Sequence, residues 1–206
     1  MSYRSDFLEA FLAKKKYLPN DNLEKYFTYK DLLSFKAPKD SEKVFKVFKT
    51  IDTIFQNHYI PEKEENNQPI ANACHIVSYD MLLWMINNQI CDPKDLAYTI
   101  GDVSFHGKWI YNVTEENLKD TIKKGCNPSS DVNIHAWLTY RTNYILDPTI
   151  LFTLDDRDWY DINSAENRIQ LWSDCYEDLQ WELNYKPLLV DSDFIHRIDI
   201  VQKNSS

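Results

Sequence analysis

Val132-Asn133-Ile134-His135-Ala136-Trp137-Leu138-Thr139-Tyr140-Arg141-Thr142-Asn143-Tyr144-Ile145-Leu146-Asp147-Pro148-Thr149 is the stretch that decides how the chain is read. Ile134, Ala136 and Leu138 alternate with Asn133, His135 and Trp137, a period of two, and Arg141-Thr142-Asn143 supply a short polar turn before Tyr144-Ile145-Leu146. The pattern predicts a β-hairpin. On adjacent antiparallel strands His135 and Asp147 come within hydrogen-bonding reach of one another across the ladder. A carboxylate on one ring nitrogen leaves the other available for chemistry.

Upstream, Cys74 follows a polar stretch, Ile60 to Ile70, that reads as an exposed loop. It opens a segment from Ala73 to Asn88 with Asn72 as N-cap, and Ile76, Val77, Tyr79, Met81, Leu82, Leu83, Trp84, Met85 and Ile86 make this helix apolar almost all round. Such a helix is buried, and Cys74 sits in its first turn. The positive end of the helix dipole lowers a thiol pKa, and a neighbouring imidazolium lowers it further, into the range of about 3.5 to 7.5. If the His135 strand packs against that helix tip, Cys74 is a nucleophile, His135 its general base and then acid, and Asp147 the orienting carboxylate. The Cys74 backbone N–H is one oxyanion donor by position, Gln68 a side-chain candidate, and Trp137 is expected to wall the cleft beside the imidazole. Plainer roles are open to each residue: a small buried hydrophobe for the cysteine, a turn for Asp147-Pro148, core packing for Trp137.

Composition bounds the rest. A chain of 206 residues, 43% hydrophobic and 14% aromatic, is long enough to bury a core as one domain. With 3 glycines and no Gly-x-Gly-x-x-Gly or Walker-type run, a nucleotide cofactor is not expected. A net charge of -9 argues against nucleic acid as a partner, and the run Lys14-Lys15-Lys16 reads as a solvated helix face. No apolar run approaches a membrane span or a signal core, so a cytoplasmic protein is expected, although specialised secretion routes need no cleavable signal. Cys74, Cys91, Cys126 and Cys175 are widely spaced, without metal-site spacing, which predicts reduced thiols and no metal. Asp155, Asp156, Asp158 and Asp161 lack calcium-loop spacing and read as a solvated loop.

Helical spacing is expected over 5–17, over 22–35, and from Ser41 to about Tyr59. After the Cys74 helix come strands at Leu96 to Phe105 and Lys108 to Val113, and a helix capped by Thr114 that ends at Gly125. Past the hairpin the reading gives a strand at Ile150 to Leu154, a helix from about Ser164 to Leu183, and strands at Pro187 to Val190 and Phe194 to Val201. Helices first and mainly strands afterwards predict an α+β fold, a buried helix on an antiparallel sheet, with 1–60 as a helical packing region and 61–206 as the core.

Cys74 opening a helix, then His135-Ala136-Trp137, then Leu146-Asp147-Pro148-Thr149, resembles the catalytic pattern of the transglutaminase-like superfamily. The resemblance covers about Asn72 to Thr149 and departs from the family where Asn72-Ala73 replace the glycine common before the nucleophile and where His75 follows it. It implies a papain-like core and a Cys74, His135, Asp147 triad. It further implies a cofactor-free cysteine hydrolase or acyltransferase acting on peptide bonds or glutamine side chains through a thioester, with a protein or peptide as substrate. Protease, deamidase and cross-linker are not resolved. Two other readings compete: a binding or scaffold domain that kept the fold and lost the reaction, and a toxin or effector that meets another protein through its acidic exterior.

Overall fold

The computed structural model describes residues 2–21, 24, 26–35, 41–125, 133–173 and 183–203. Its centre is an antiparallel sheet built from β1 (Leu96–Phe105), β2 (Lys108–Trp109), β3 (His135–Tyr140), β4 (Tyr144–Asp147), β5 (Gln170–Ser173) and β6 (Leu183–Val190). β1 pairs with β3 along Leu96 to Gly101 and with β6 along Thr99 to Phe105, so these two flank it on opposite edges. β4 and β5 extend the sheet beyond β3, and β2 folds back on the far end of β1. The α+β class and the antiparallel sheet are as expected from the sequence.

The hairpin carries its own explanation. Leu138, Thr139 and Tyr140 pair with Leu146, Ile145 and Tyr144, and Arg141 and Thr142 turn the chain with φ of 47° and 64°. Extending that register by one residue sets Trp137 opposite Asp147, so His135 and Asp147 are diagonal neighbours on one face. Across β1, Gly101 pairs with His135 and a register shift falls between Ile100 and Gly101. A Cβ at Gly101 would lie 2.1 Å from the Lys186 carbonyl oxygen and 2.8 Å from Trp137 Cη2, so only glycine fits beneath the indole.

Helices cover the sheet. α1 (Tyr3–Tyr17), started by the Ser2 hydroxyl, packs on β6 and reaches Trp137 and Thr139 through the Tyr3 hydroxyl. α2 (Tyr29–Ser34) is short; Thr28 and Asp31 form a reciprocal capping box that fixes its start, so the helix expected over 22–35 begins only there. Leu23, within that expected span, lies outside the described residues. α3 (Ser41–Ile54) runs through a π-helical turn at Phe55–Tyr59 into α4 (Ile60–Glu65), where a loop was expected. Pro61 stands in the first turn of α4, where an N–H is not needed, and the Glu and Lys residues after it are good helix formers. α5 (Cys74–Asn87) packs on β3 and β1. Its N-cap is Ala73 rather than Asn72, which is left-handed (φ 59°) and turns its amide to Asp156.

Other expectations are corrected downstream. The strand at Lys108 to Val113 stops at Trp109, because buried Asp102 draws the Tyr111 and Val113 N–H groups out of the ladder. α6 (Glu115–Lys124) follows Thr114 and ends at Gly125, as expected. Ile150 to Leu154 is helical within α7 (Ile150–Asp156), because Asp147 Oδ1 accepts the Thr149 and Ile150 N–H groups and starts a helix there. The helix expected from Ser164 is replaced by a 3₁₀ turn at Ile162–Ser164 and by β5; its remainder to residue 182 lies outside the described residues. Phe194 onward is α8 (Phe194–Lys203), not a strand; Phe194 N–H bonds to the Asp191 carbonyl, and Phe194 and Ile198 bury one helical face. Lys14 is buried, against the expectation of a solvated face, because Asp191 pairs with it at 2.8 Å. Among the described residues no helix is long and apolar enough to cross a membrane.

Candidate active site

Three elements meet at the tip of α5. β3 contributes His135, β4 contributes Asp147, and α5 brings Cys74 to the same end of the sheet, its sulfur 3.5 Å from the Ile134 carbonyl oxygen. Ser78, one turn further along α5, donates to the Ala136 carbonyl at 2.9 Å and fixes the helix against β3. His135 Nε2 lies 2.5 Å from Asp147 Oδ2. The other ring nitrogen, Nδ1, is buried and meets no acceptor at hydrogen-bonding geometry, and it belongs to the imidazole that interacts most strongly with the Cys74 sulfur.

Asp147 is held from every side. Oδ1 accepts the Thr149 N–H at 3.0 Å, the Thr149 hydroxyl at 3.2 Å and the Ile150 N–H at 3.0 Å, and Oδ2 accepts the Tyr185 hydroxyl at 3.0 Å as well as the imidazole. These donors fix the carboxylate so that it aims one lobe at His135. The imidazole ring lies between Tyr111, stacked at 5.0 Å and 15°, and Trp137, at 5.7 Å and 28°.

Electrostatics follow the geometry. Burial raises the Cys74 thiol, but the neighbouring His135 imidazole, with a smaller share from His75, brings it down to about 6. Burial works against the His135 cation, but the Asp147 charge and hydrogen bond, and then the thiolate, raise it to about 10. The pair titrates as a unit, and between about pH 6 and pH 10 its stable form is thiolate with imidazolium. Cys91 behaves oppositely: burial and the nearby Asp95 and Asp92 push its thiol up to about 12. Both thiols are free. His75, the next residue along the helix, adds to the thiolate's stabilisation in a secondary role.

Gln68 and Trp137 are placed differently. Gln68 is exposed and its amide oxygen accepts from Lys63 at 3.0 Å, a partner outside the triad. Trp137 stacks beside His135 but is fully buried, its indole N–H donating to the Tyr3 hydroxyl at 2.8 Å, so it backs the imidazole from inside the core instead of walling a cleft. In the first turn of α5 the Ile76 and Val77 N–H groups both donate to the Ala73 carbonyl, at 3.0 Å each, while the Cys74 N–H, at the first helical position, has no acceptor within the helix. Tyr185 and Tyr111 carry no signal in the sequence; they reach the triad from elements far along the chain. The thiol is covered, with Cys74 2% exposed and Tyr111 7% exposed. A groove of about 740 Å³ between α3 and residues 164–171, lined by Phe45, Phe48 and Leu151, reaches Leu146 on β4 but not the thiol.

Comparison of the chain with protein-family models, with curated proteins and with solved structures returns no match.

Proposed function

We propose that the chain is a transglutaminase-like cysteine hydrolase or acyltransferase with a papain-like core, acting on amide carbonyls. The observation that carries it is one buried imidazole, with Asp147 2.5 Å from its Nε2, next in the chain to the Ile134 carbonyl that lies 3.5 Å from the Cys74 sulfur, a thiol that this imidazole lowers to about 6. In the resting ion pair no base needs to act before attack. The Cys74 sulfur bonds to the carbonyl carbon, the oxyanion turns to the Cys74 N–H at the α5 tip, and Nδ1–H passes its proton to the leaving amine as the C–N bond breaks. A thioester on Cys74 remains. Nδ1 then takes a proton from water, or from an acceptor amine, which attacks the thioester and returns the thiolate.

A second reading, a scaffold that kept the fold without the reaction, is favoured by the closure of the thiol: His135 and Asp147 are 0% exposed. One measurement separates the two. Iodoacetamide at pH 7 is expected to label Cys74 ahead of Cys91 in the wild type, although Cys91 is the more exposed thiol. Glutamine-containing peptides are then expected to release ammonia or an amine, and Cys74→Ala to abolish this. Labelling of Cys91 first, with no product from any peptide, would leave the scaffold reading.

A further inference from the structure

Attack on a carbonyl leaves negative charge on its oxygen, and an acyl-transfer site meets that charge with preorganised donors. The Cys74 N–H, at the first position of α5, is one. The side-chain donors packed around the triad are mostly engaged. The Tyr185 and Thr149 hydroxyls donate to Asp147, the Trp137 indole N–H to the Tyr3 hydroxyl, and the Ser78 hydroxyl to the Ala136 carbonyl. Gln68, the side chain expected from the sequence, accepts from Lys63 away from the triad. The Tyr111 hydroxyl is held more loosely, 3.4 Å from Thr153 Oγ1.

Its place follows from printed contacts on both sides of the ring and at its tip. The phenol ring stacks on His135 at 5.0 Å and 15°, which sets it beside the triad. Thr153 Oγ1, to which the hydroxyl points, also accepts the N–H of Asn72 at 3.2 Å, just ahead of Cys74 in the chain. The hydroxyl therefore sits over the chain as it enters α5, at the end where the Cys74 N–H lies. From outside, Arg157 lies 5.5 Å from the ring centre and donates to the Ile110 carbonyl at 2.9 Å, and Asp102 accepts the Tyr111 N–H at 3.2 Å. Burial, and then the charge of the Cys74 thiolate, push the hydroxyl above the usual phenol value of 10.0, so it keeps its proton wherever the thiolate is formed.

We propose that the Tyr111 hydroxyl is the second oxyanion donor, beside the Cys74 N–H, a catalytic role that belongs to the acyl-transfer reading and rests on it. Attack by the sulfur moves the carbonyl π pair onto oxygen, and that oxygen replaces Thr153 as the acceptor of the Tyr111 O–H. At 3.4 Å the resting bond is weak, so exchanging it for a bond to a charged oxygen favours the transition state over the ground state. As the C–N bond breaks the pair returns to the carbonyl, the amine leaves with the His135 proton, and the phenol keeps its own. The residue that covers the thiol thus also takes part in the reaction.

The test uses the full chain, wild type and Tyr111→Phe, with 4-nitrophenyl acetate as an acyl donor that needs no knowledge of the natural substrate. Nitrophenolate release and acetylation of Cys74 by mass spectrometry give the acylation rate. Iodoacetamide gives a second rate on the same sulfur, by displacement at a saturated carbon that forms no oxyanion. In Tyr111→Phe acylation is expected to fall about tenfold or more, with iodoacetamide labelling and its pH midpoint close to wild type. Equal acylation of the two proteins, or a parallel fall in acylation and alkylation, would overturn the role of the hydroxyl while leaving the acyl-transfer reading in place. A wild-type Cys74 that iodoacetamide labels but the ester does not acylate would overturn the acyl-transfer reading itself, and this role with it.

Discussion

At Asp147 one oxygen is devoted to local backbone and the other to His135 and Tyr185. Replacing it by Asn removes the charge that keeps the imidazole protonated. His135 then falls from about 10 towards its usual 6.5, and the Cys74 thiol, no longer facing a stable cation, climbs from about 6 towards 9.0. In the wild type the alkylation rate of Cys74 is expected to rise as pH increases through about 6, and amide turnover to fall above about 10 as His135 loses its proton. In Asp147→Asn the alkylation midpoint is expected to move up by about one to three pH units, with turnover lower by about 10² to 10⁴. An unmoved midpoint would mean that the carboxylate does not act through the ring. Tyr185→Phe removes a single donor while the others remain; a stability loss of about 1 to 2 kcal/mol is expected in chemical denaturation, with the alkylation midpoint within about one unit of wild type.

At the scale of elements, the segment between β2 and α6 covers the thiol. The buried Asp102 carboxylate accepts three backbone N–H groups, from Val103, Tyr111 and Val113, and so folds this segment back over the end of the sheet. The Tyr111 hydroxyl adds a contact to Thr153 at 3.4 Å, the same oxygen that accepts the Asn72 N–H at 3.2 Å. Tyr111→Ala is expected to speed Cys74 alkylation at least tenfold while costing about 2 to 4 kcal/mol of stability, because it empties a packed site directly over the imidazole. Asp102→Ala strands three donors, and a loss of about 3 to 5 kcal/mol is expected with faster labelling. Labelling rates unchanged in both variants would place the route to the thiol elsewhere. The hairpin and the α5 helix were legible because period-two alternation and an all-round apolar run are local signals. Asp102, Tyr111 and Tyr185 were not, since what they do depends on partners outside their own element, Thr153 at 42 residues from Tyr111 and Asp147 at 38 from Tyr185. The β-branched and apolar runs at Ile150 and Ile195 misled for a related reason: helix starts set by Asp147 and Asp191 outweighed strand propensity there.

Over the whole molecule, the N-terminal helix is part of the site's support. The Tyr3 hydroxyl accepts from Trp137 Nε1 and lies 2.5 Å from the Thr139 hydroxyl, so α1 braces the strand that carries His135. What holds α1 in place is Asp191, at the end of β6, which sits 2.8 Å from Lys14 Nζ on α1 and 2.7 Å from Arg197 Nε on α8. Its own N–H donates to the Tyr98 carbonyl on β1 at 3.1 Å. Lys14 is 2% exposed, so removing its counter-ion leaves a cation in the interior without charge compensation. Asp191→Ala is expected to cost about 3 to 5 kcal/mol in urea unfolding, lowering the midpoint with little change in slope. It should also loosen α1 and so alter Trp137 fluorescence before global unfolding. The double change Lys14→Met/Asp191→Leu removes both charges together and is expected to recover most of the loss, with Arg197 kept by Asp21. A single variant less than about 1 kcal/mol below wild type, or a double variant no better than the single, would show that the lysine finds solvent or another partner, and that the bracing of His135 through α1 does not depend on this ion pair.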